Sequence, residues 1–283
     1  MNKPKNRSKI RIFFASIYFL VRKFFYWNFS GNKFSKELRK NNIGQEIFSH
    51  QSLLLRPLNN VEMWMQHNKI HNLKLAIKNL DGLILKPGEV FSYWLLIGNP
   101  TKSKKYLPGM ILHQGGFKSG VGGGLCQLSN LIYWMTLHSP LTVIERWRHS
   151  YDVFPDVHRT QPFGSGATCS YPNIDLQIKN GTDKTFQLRL HLTDTHLVGQ
   201  WLCDAPLDVR YEIDERNHAI SHEWWGGYTR NNRLVKVTYN RKSGRKISEE
   251  IVAENHAIMM YEPLLRGSET HENQQQNKDK TGP

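Results

Sequence analysis

Hydrophobic positions along the chain change period once, from helical spacing in the first half to alternation in the second. Residues 61–80 place Ile70, Leu73, Ile77 and Leu80 at three- and four-residue steps, with Ala76 on the same face. That spacing predicts a helix closed near Gly82. A short apolar run at 83–85 leads into Lys86-Pro87-Gly88-Glu89, a turn signal. Residues 90–97 are aromatic and branched and predict a strand, 99–108 a polar loop, and 110–112 a short strand. Residues 125–137 are apolar almost throughout and predict a buried helix. Beyond it, 141–148 alternates as a half-buried strand ending at His149, and 175–179 alternates cleanly. Asn180-Gly181 follows as a strong hairpin signal, with 186–192 as the expected partner strand. Segments 196–202, 207–213 and 234–239 continue the meander, the last turning at 242–245. Helices early and strands late define an α+β class: central helices with a mostly antiparallel β-sheet.

The two ends break this pattern and suggest three regions: an arm over 1–40, a domain over 41–266 and a tail over 267–283. The tail is polar throughout, so disorder is expected there. The arm is basic and then apolar. Its apolar run, 12–21, is too short to span a bilayer core of about 30 Å at roughly 1.5 Å per residue. Arg22 and Lys23 interrupt it before Phe24-Phe25-Tyr26-Trp27, and no small-x-small cleavage site follows. A helix lying in the plane of an anionic membrane surface fits this pattern. An uncleaved signal anchor and a helix covering the core with its aromatics are the competing readings. The chain is thus expected to be membrane-associated, on the cytoplasmic face or outside it.

Charge changes the picture mainly by where it sits. Of a net charge of +14, the first forty residues hold +10, from eleven basic side chains against Glu37, leaving +4 for the rest of the 283-residue chain. A body this nearly balanced argues against a nucleic-acid face. Three cysteines, Cys126, Cys169 and Cys203, are too few and scattered for a disulfide framework, and no CxxC pair marks a zinc site. No cofactor is expected.

The most concentrated chemistry lies at Gly120-Val121-Gly122-Gly123-Gly124-Leu125-Cys126-Gln127. The glycines permit positive φ and close backbone approach. A cysteine in the first turn of a helix meets unpaired amides and the positive dipole end, both of which favour the thiolate. The loop lacks the Lys-Ser/Thr of a P-loop and the spacing of a dinucleotide fingerprint, so a nucleotide is not expected. Cys126 is the candidate nucleophile, with backbone amides around Gly122, Gly123, Gly124 and Gln127 as the oxyanion or loop element. His149, one of thirteen histidines and at a strand end, reads by itself as a satisfied polar residue, with the candidate base as the sharper alternative. Ser129, Glu145, Arg146 and Arg148 are candidate substrate contacts. Packing of a small apolar thiol, a solvated strand face for the arginines and a surface ion pair for Glu145 explain the same residues without a ligand. Trp224-Trp225-Gly226-Gly227-Tyr228 reads as a hairpin covering the core.

Several blocks together resemble the VanW family. They are Asn68-Lys69-Ile70-His71-Asn72-Leu73-Lys74-Leu75-Ala76, Leu80-Asp81-Gly82, Lys86-Pro87-Gly88-Glu89-Val90-Phe91-Ser92, Gly122-Gly123-Gly124-Leu125-Cys126-Gln127-Leu128-Ser129, Glu145-Arg146, His149 and Asp175-Leu176-Gln177-Ile178-Lys179-Asn180. The match is strongest over 61–203. The resemblance implies a role in the bacterial cell wall and in glycopeptide (vancomycin) resistance. Some multidomain relatives are associated with cysteine-dependent L,D-transpeptidase activity on peptidoglycan, which makes a stem peptide or precursor the implied partner. Cys126 and His149 match the family cysteine and histidine. At Gly164-Ser165-Gly166-Ala167 the family usually has Gly-x-Asp-Ala, so this chain lacks a carboxylate at Gly166. That departure keeps a second expectation open, a non-catalytic accessory that binds a cell-wall precursor or another resistance protein.

Overall fold

The computed structural model describes residues 8–56, 62–113, 115–153 and 161–263. The tail expected over 267–283 lies outside them. The chain opens with helix α1 (Lys9–Phe29), followed by strands β1 (Lys33–Phe34) and β2 (Gln45–Leu53) and helix α2 (Met63–Ile77). Then come β3 (Leu83–Leu85), β4 (Glu89–Ser92), α3 (Tyr93–Ile97), β5 (Pro108–His113) and β6 (Gly116–Val121). Helix α4 (Cys126–Leu137) sits centrally, ahead of β7 (Thr142–Glu145), β8 (Tyr151–Asp152) and β9 (Gln177–Lys179). The remaining strands are β10 (Phe186–Leu192), β11 (His196–Cys203), β12 (Val209–His222), β13 (Tyr228–Asn240) and β14 (Lys246–Met259). The class is α+β, as the period change implies.

Among the described residues the strands form three four-stranded sheets, ordered β1-β4-β9-β7, β2-β11-β10-β3 and β12-β13-β14-β8, and a β5-β6 hairpin. Pairing is antiparallel except at β1–β4 and β14–β8. Helix α4 packs on β2 and β11, burying Leu128, Leu131, Ile132 and Met135 with Trp201 and Phe186. Its approach to β11 is close: a Cβ on Gly199 would lie 2.7 Å from the Met135 methyl and 2.9 Å from Leu131 Cδ2.

Four expectations are corrected. Residues 90–97 divide at Ser92, where a strand gives way to a helical turn. The Ser92 hydroxyl accepts from Leu95 N, and buried Asp175 accepts from both Ser92 Oγ and Trp94 N. These side-chain bonds replace the strand ladder. The strand over 141–148 ends at Glu145, leaving Trp147 with a single bridge to Thr168. Asn180-Gly181 does not join two partner strands, because β9 and β10 belong to different sheets. Asn180 is fully buried, donates to the Leu85 and Lys184 carbonyls and accepts from Thr182 N, so it pins a crossing between sheets. Finally, Trp224 covers nothing: it is 91% exposed at the tip between β12 and β13.

The arm is a 21-residue helix, and none of the described helices is long and apolar enough to cross a membrane. Its C-terminal half is docked on the body. Lys23 is buried, its ammonium 2.9 Å from Glu145 Oε2 and 3.3 Å from Asp175 Oδ2. Tyr26 donates to Gln177 Oε1 and Trp27 Nε1 to Ser92 Oγ. Steps of three and four residues bring these three side chains to one face.

Candidate functional site

The turn between β6 and α4 requires its glycines. Gly122 and Gly124 have φ of +77° and +89°, and a Cβ on Gly123 would lie 2.1 Å from the Gly109 carbonyl carbon. Two asparagines of α2 fasten the turn. Asn72 Nδ2 donates to the Leu107 and Gly123 carbonyls, its Oδ1 accepts from Leu107 N, and Asn68 Nδ2 donates to the Pro108 carbonyl. The turn also consumes most of its own donors. The amides of Gly122, Gly123, Gly124 and Gln127 donate to the carbonyls of Leu107, Gly120, Met110 and Gly124. Of the amides expected to form an oxyanion site, those four are therefore engaged. The amides of Leu125 and Cys126 have no backbone acceptor among the described residues.

Cys126 is the first residue of α4, and of the three free cysteines it alone is partly exposed; Cys169 and Cys203 are buried. Its thiol donates to the Cys169 carbonyl at 3.7 Å. Burial pushes the thiol above its ordinary value, with the Cys169 contact as the opposing influence. The expected bias toward thiolate at a helix start is thus outweighed by desolvation. The resting group is a neutral thiol.

The segment 164–169 runs across the face of α4 that carries Cys126, Ser129, Asn130 and Tyr133. Ser129 Oγ donates to the Ala167 carbonyl at 2.7 Å, and Ala167 N donates to Asn130 Oδ1 at 2.8 Å. Arg146 holds the same segment from the other side, donating to the Gly166 carbonyl at 3.0 Å and to that of Gly164. Its guanidinium also lies 4.8 Å from the Tyr133 ring centroid. Gly166 faces α4 directly, since a Cβ there would come 2.9 Å from Asn130 Oδ1. Arg146 and Ser129, expected to contact substrate, are thus engaged with this strap.

Glu145 likewise turns inward. It accepts from Lys23, from Gln177 Nε2 at 2.8 Å and from Asp175 N at 3.3 Å. Gln127 Nε2 donates to Ser52 Oγ and the Leu53 carbonyl, tying the site to the end of β2, while its Oε1 is buried with no hydrogen-bond partner among the described residues. Arg148 stacks at 3.9 Å on the Phe163 ring centroid. His149 is half-buried next to it. Burial, and secondarily the Arg148 charge, push its imidazole below the ordinary histidine value, so the ring is neutral at pH 7. No hydrogen bond joins it to Cys126 among the described residues.

One group was missed by reading the sequence. Lys69 of α2 lays its aliphatic stem over Gly124; a Cβ on that glycine would fall 2.3 Å from Lys69 Cγ. Burial, helped by the positive charge of Arg56, lowers its amine to about 8. Its position in the Asn68–Asn72 block was the available signal, but helical spacing alone marks it as an outward residue. Among the described residues no group of three or more His, Cys, Asp or Glu side chains could hold a metal ion.

The glycine turn fastened by α2, the cysteine heading α4 and the strap over it all fall within residues 68–202, which match the family model described as VanW like protein. The chain belongs to the VanW family. It is 36% identical over 200 residues to the vancomycin B-type resistance protein VanW of Enterococcus faecalis, a match covering 71% of this chain and 73% of that protein. It is also 30% identical over 122 residues to the uncharacterized protein YoaR of Bacillus subtilis, covering 43% of this chain and 39% of that one. No solved structure matches the chain.

Proposed function

We propose that this chain is a VanW-like protein of glycopeptide (vancomycin) resistance and cell-wall metabolism that works as a cysteine acyl transferase of L,D-transpeptidase type on peptidoglycan stem peptides. The observation that carries this reading is the placement of Cys126. It is the one cysteine of the three that is not a buried residue, at the first turn of a 12-residue helix, behind a glycine turn that leaves the Leu125 and Cys126 amides without a backbone acceptor among the described residues. The neutral His149 imidazole is in the state that accepts a proton. The thiol proton passes to His149 as sulfur bonds to an amide carbonyl of the stem peptide, and the Leu125 and Cys126 amides receive the developing oxyanion. His149 returns the proton to the departing amine, leaving a thioester that an acceptor amine resolves. Hydrogen bonds between nucleophile and base commonly tighten only when substrate is bound.

A specific observation favours a second reading, a non-catalytic accessory that binds a wall precursor or another resistance protein. The Cys126 thiol is capped by the Cys169 carbonyl and raised by burial, as a packed cysteine would be. The two separate in one experiment. The protein is incubated with a tetrapeptide-stem muropeptide and an amine acceptor, beside Cys126→Ala and His149→Gln variants. Transfer by the parent, abolished in Cys126→Ala and cut at least about a hundredfold in His149→Gln, supports the enzyme. Retained muropeptide binding with no transfer in any of the three supports the accessory.

A further inference from the structure

We infer that α1 is a membrane-docking device: its inward face is locked on the protein body, and its outward face lies in the headgroup region of an anionic bilayer. The inference is independent of the reaction proposed for Cys126. Unlike an ordinary surface helix, this one is apolar on the side turned away from the body as well. One side carries Ala15, Phe19, Lys23, Tyr26 and Trp27, which are buried or half-buried, and its last three residues hold the body through the Lys23 ion pairs, the Tyr26 and Trp27 hydrogen bonds and the packing of Trp27 on the core. The opposite side carries Ile10, Phe13, Phe14, Ile17, Val21 and Phe24, all exposed, with Ile10 at 71% and Phe14 at 64%. At 100° per residue these six fall on one continuous stripe. Water therefore faces phenylalanine and isoleucine where a soluble protein would place lysine and glutamate.

The occupant is identified by charge as well as by apolarity. Arg11 and Arg22 are exposed and lie along one border of the stripe, where long side chains reach headgroup phosphates. The sequence ahead of the helix adds Lys3, Lys5 and Arg7, and α1 carries no acidic residue. Crossing the bilayer is disfavoured by Lys23, whose ammonium is bound to Glu145 and Asp175 inside the body. In-plane docking keeps that pair intact. The same pair fixes how the body sits on the surface, because Glu145 ends β7 and Asp175 lies just ahead of β9.

The test uses the full chain in vesicle co-sedimentation, with phosphatidylcholine vesicles compared with vesicles containing phosphatidylglycerol. Binding to the anionic vesicles is expected to be at least about tenfold tighter and to weaken with salt. A Phe13→Ser, Phe14→Ser, Ile17→Ser variant is expected to lose at least about tenfold of that affinity with an unchanged melting temperature, since the three side chains are exposed. Arg11→Gln with Arg22→Gln should weaken the preference for anionic lipid several-fold, with Lys3, Lys5 and Arg7 supplying the remainder, while leaving the fold intact. Equal binding to both vesicle types, or parent-like binding by the triple serine variant, would overturn the inference. So would light scattering that shows a dimer which the serine variant dissolves, because the stripe would then be a contact between copies of this chain.

Discussion

Lys23 of α1 and Asp175, which precedes β9, form an ion pair at 3.3 Å with both side chains withdrawn from water. Glu145, Ser92, the Trp94 and Leu176 amides and Gln177 surround the two charges, and the Tyr26 and Trp27 rings lie beside the ammonium. The arm and the body are thereby one structure. Lys23→Met leaves two carboxylates facing each other without a cation, and is expected to cost about 3 kcal/mol. Chemical denaturation reads the loss. The double variant Lys23→Met, Asp175→Asn should recover a substantial part of it, because the uncompensated buried charge is removed.

Arg146 connects the strap to the site. Removing its bonds to the Gly164 and Gly166 carbonyls in Arg146→Ala should destabilise the protein by about 2 kcal/mol. It should also loosen the segment that caps Cys126. Alkylation of Cys126 by iodoacetamide, followed by peptide mass mapping, is expected to be faster in the variant than in the parent. An unchanged rate would mean that the strap does not limit access to the thiol.

Alkylation of the parent should also follow pH in a particular way. The Cys126 thiol is raised above the ordinary 9 by burial, so the reactive thiolate is scarce at neutral pH and its fraction keeps rising until the pH passes that raised value. The pH–rate profile is therefore expected to climb through and beyond pH 9, with label at Cys126 before Cys169 and Cys203. A plateau reached below pH 8 would show that the helix terminus, and not burial, controls this thiol.

Lys69 ties stability to pH. Its amine falls from 10.5 to about 8 on folding. Between those values the unfolded chain binds more protons than the folded one, so this group's contribution to stability improves as pH rises from 8 toward 10.5. Below 8 its cost is present in full. Lys69→Met is expected to raise stability at pH 7 by about 1 kcal/mol, discounted for the partial exposure of the side chain, and to flatten the slope across that window. Urea melts at several pH values check both.

Gly166 is the position at which the sequence resemblance leads one to expect an aspartate. Gly166→Asp places a side chain against Asn130 Oδ1, where a Cβ would stand 2.9 Å away, and strains the bond from Ala167 N to that oxygen. A loss of about 1 kcal/mol is expected. Asn130→Ala introduced with it should restore part of the stability by making room.

The sequence made α4 and its glycine turn legible because apolar continuity and clustered glycines are local signals. The Asn180-Gly181 misreading has a physical source: a dipeptide records turn propensity, whereas the Asn180 side chain is committed to Leu85 and Lys184 in a buried crossing. Strands β2 and β14 were invisible for another reason. Most residues of Lys246–Met259 are exposed, so alternation appears only toward its end, where Ala253, Asn255 and Ala257 turn inward. At the site, Cys126 stood out by residue type behind its glycines, whereas His149, one of thirteen histidines, stood out only through the family resemblance. The inward commitment of Arg146 and Glu145 did not, because their partners lie far along the chain and no spacing rule connects them.

The proposed chemistry is decided by what becomes of Cys126 in the presence of a donor peptide. Intact-protein mass spectrometry after mixing with a tetrapeptide-stem muropeptide, without an acceptor amine, should show one added acyl group that maps to Cys126 and is released by hydroxylamine. The adduct should be absent in Cys126→Ala. A parent protein that binds the muropeptide yet stays at its unmodified mass, under conditions where Cys126 can still be alkylated, would contradict acyl transfer and leave the accessory role.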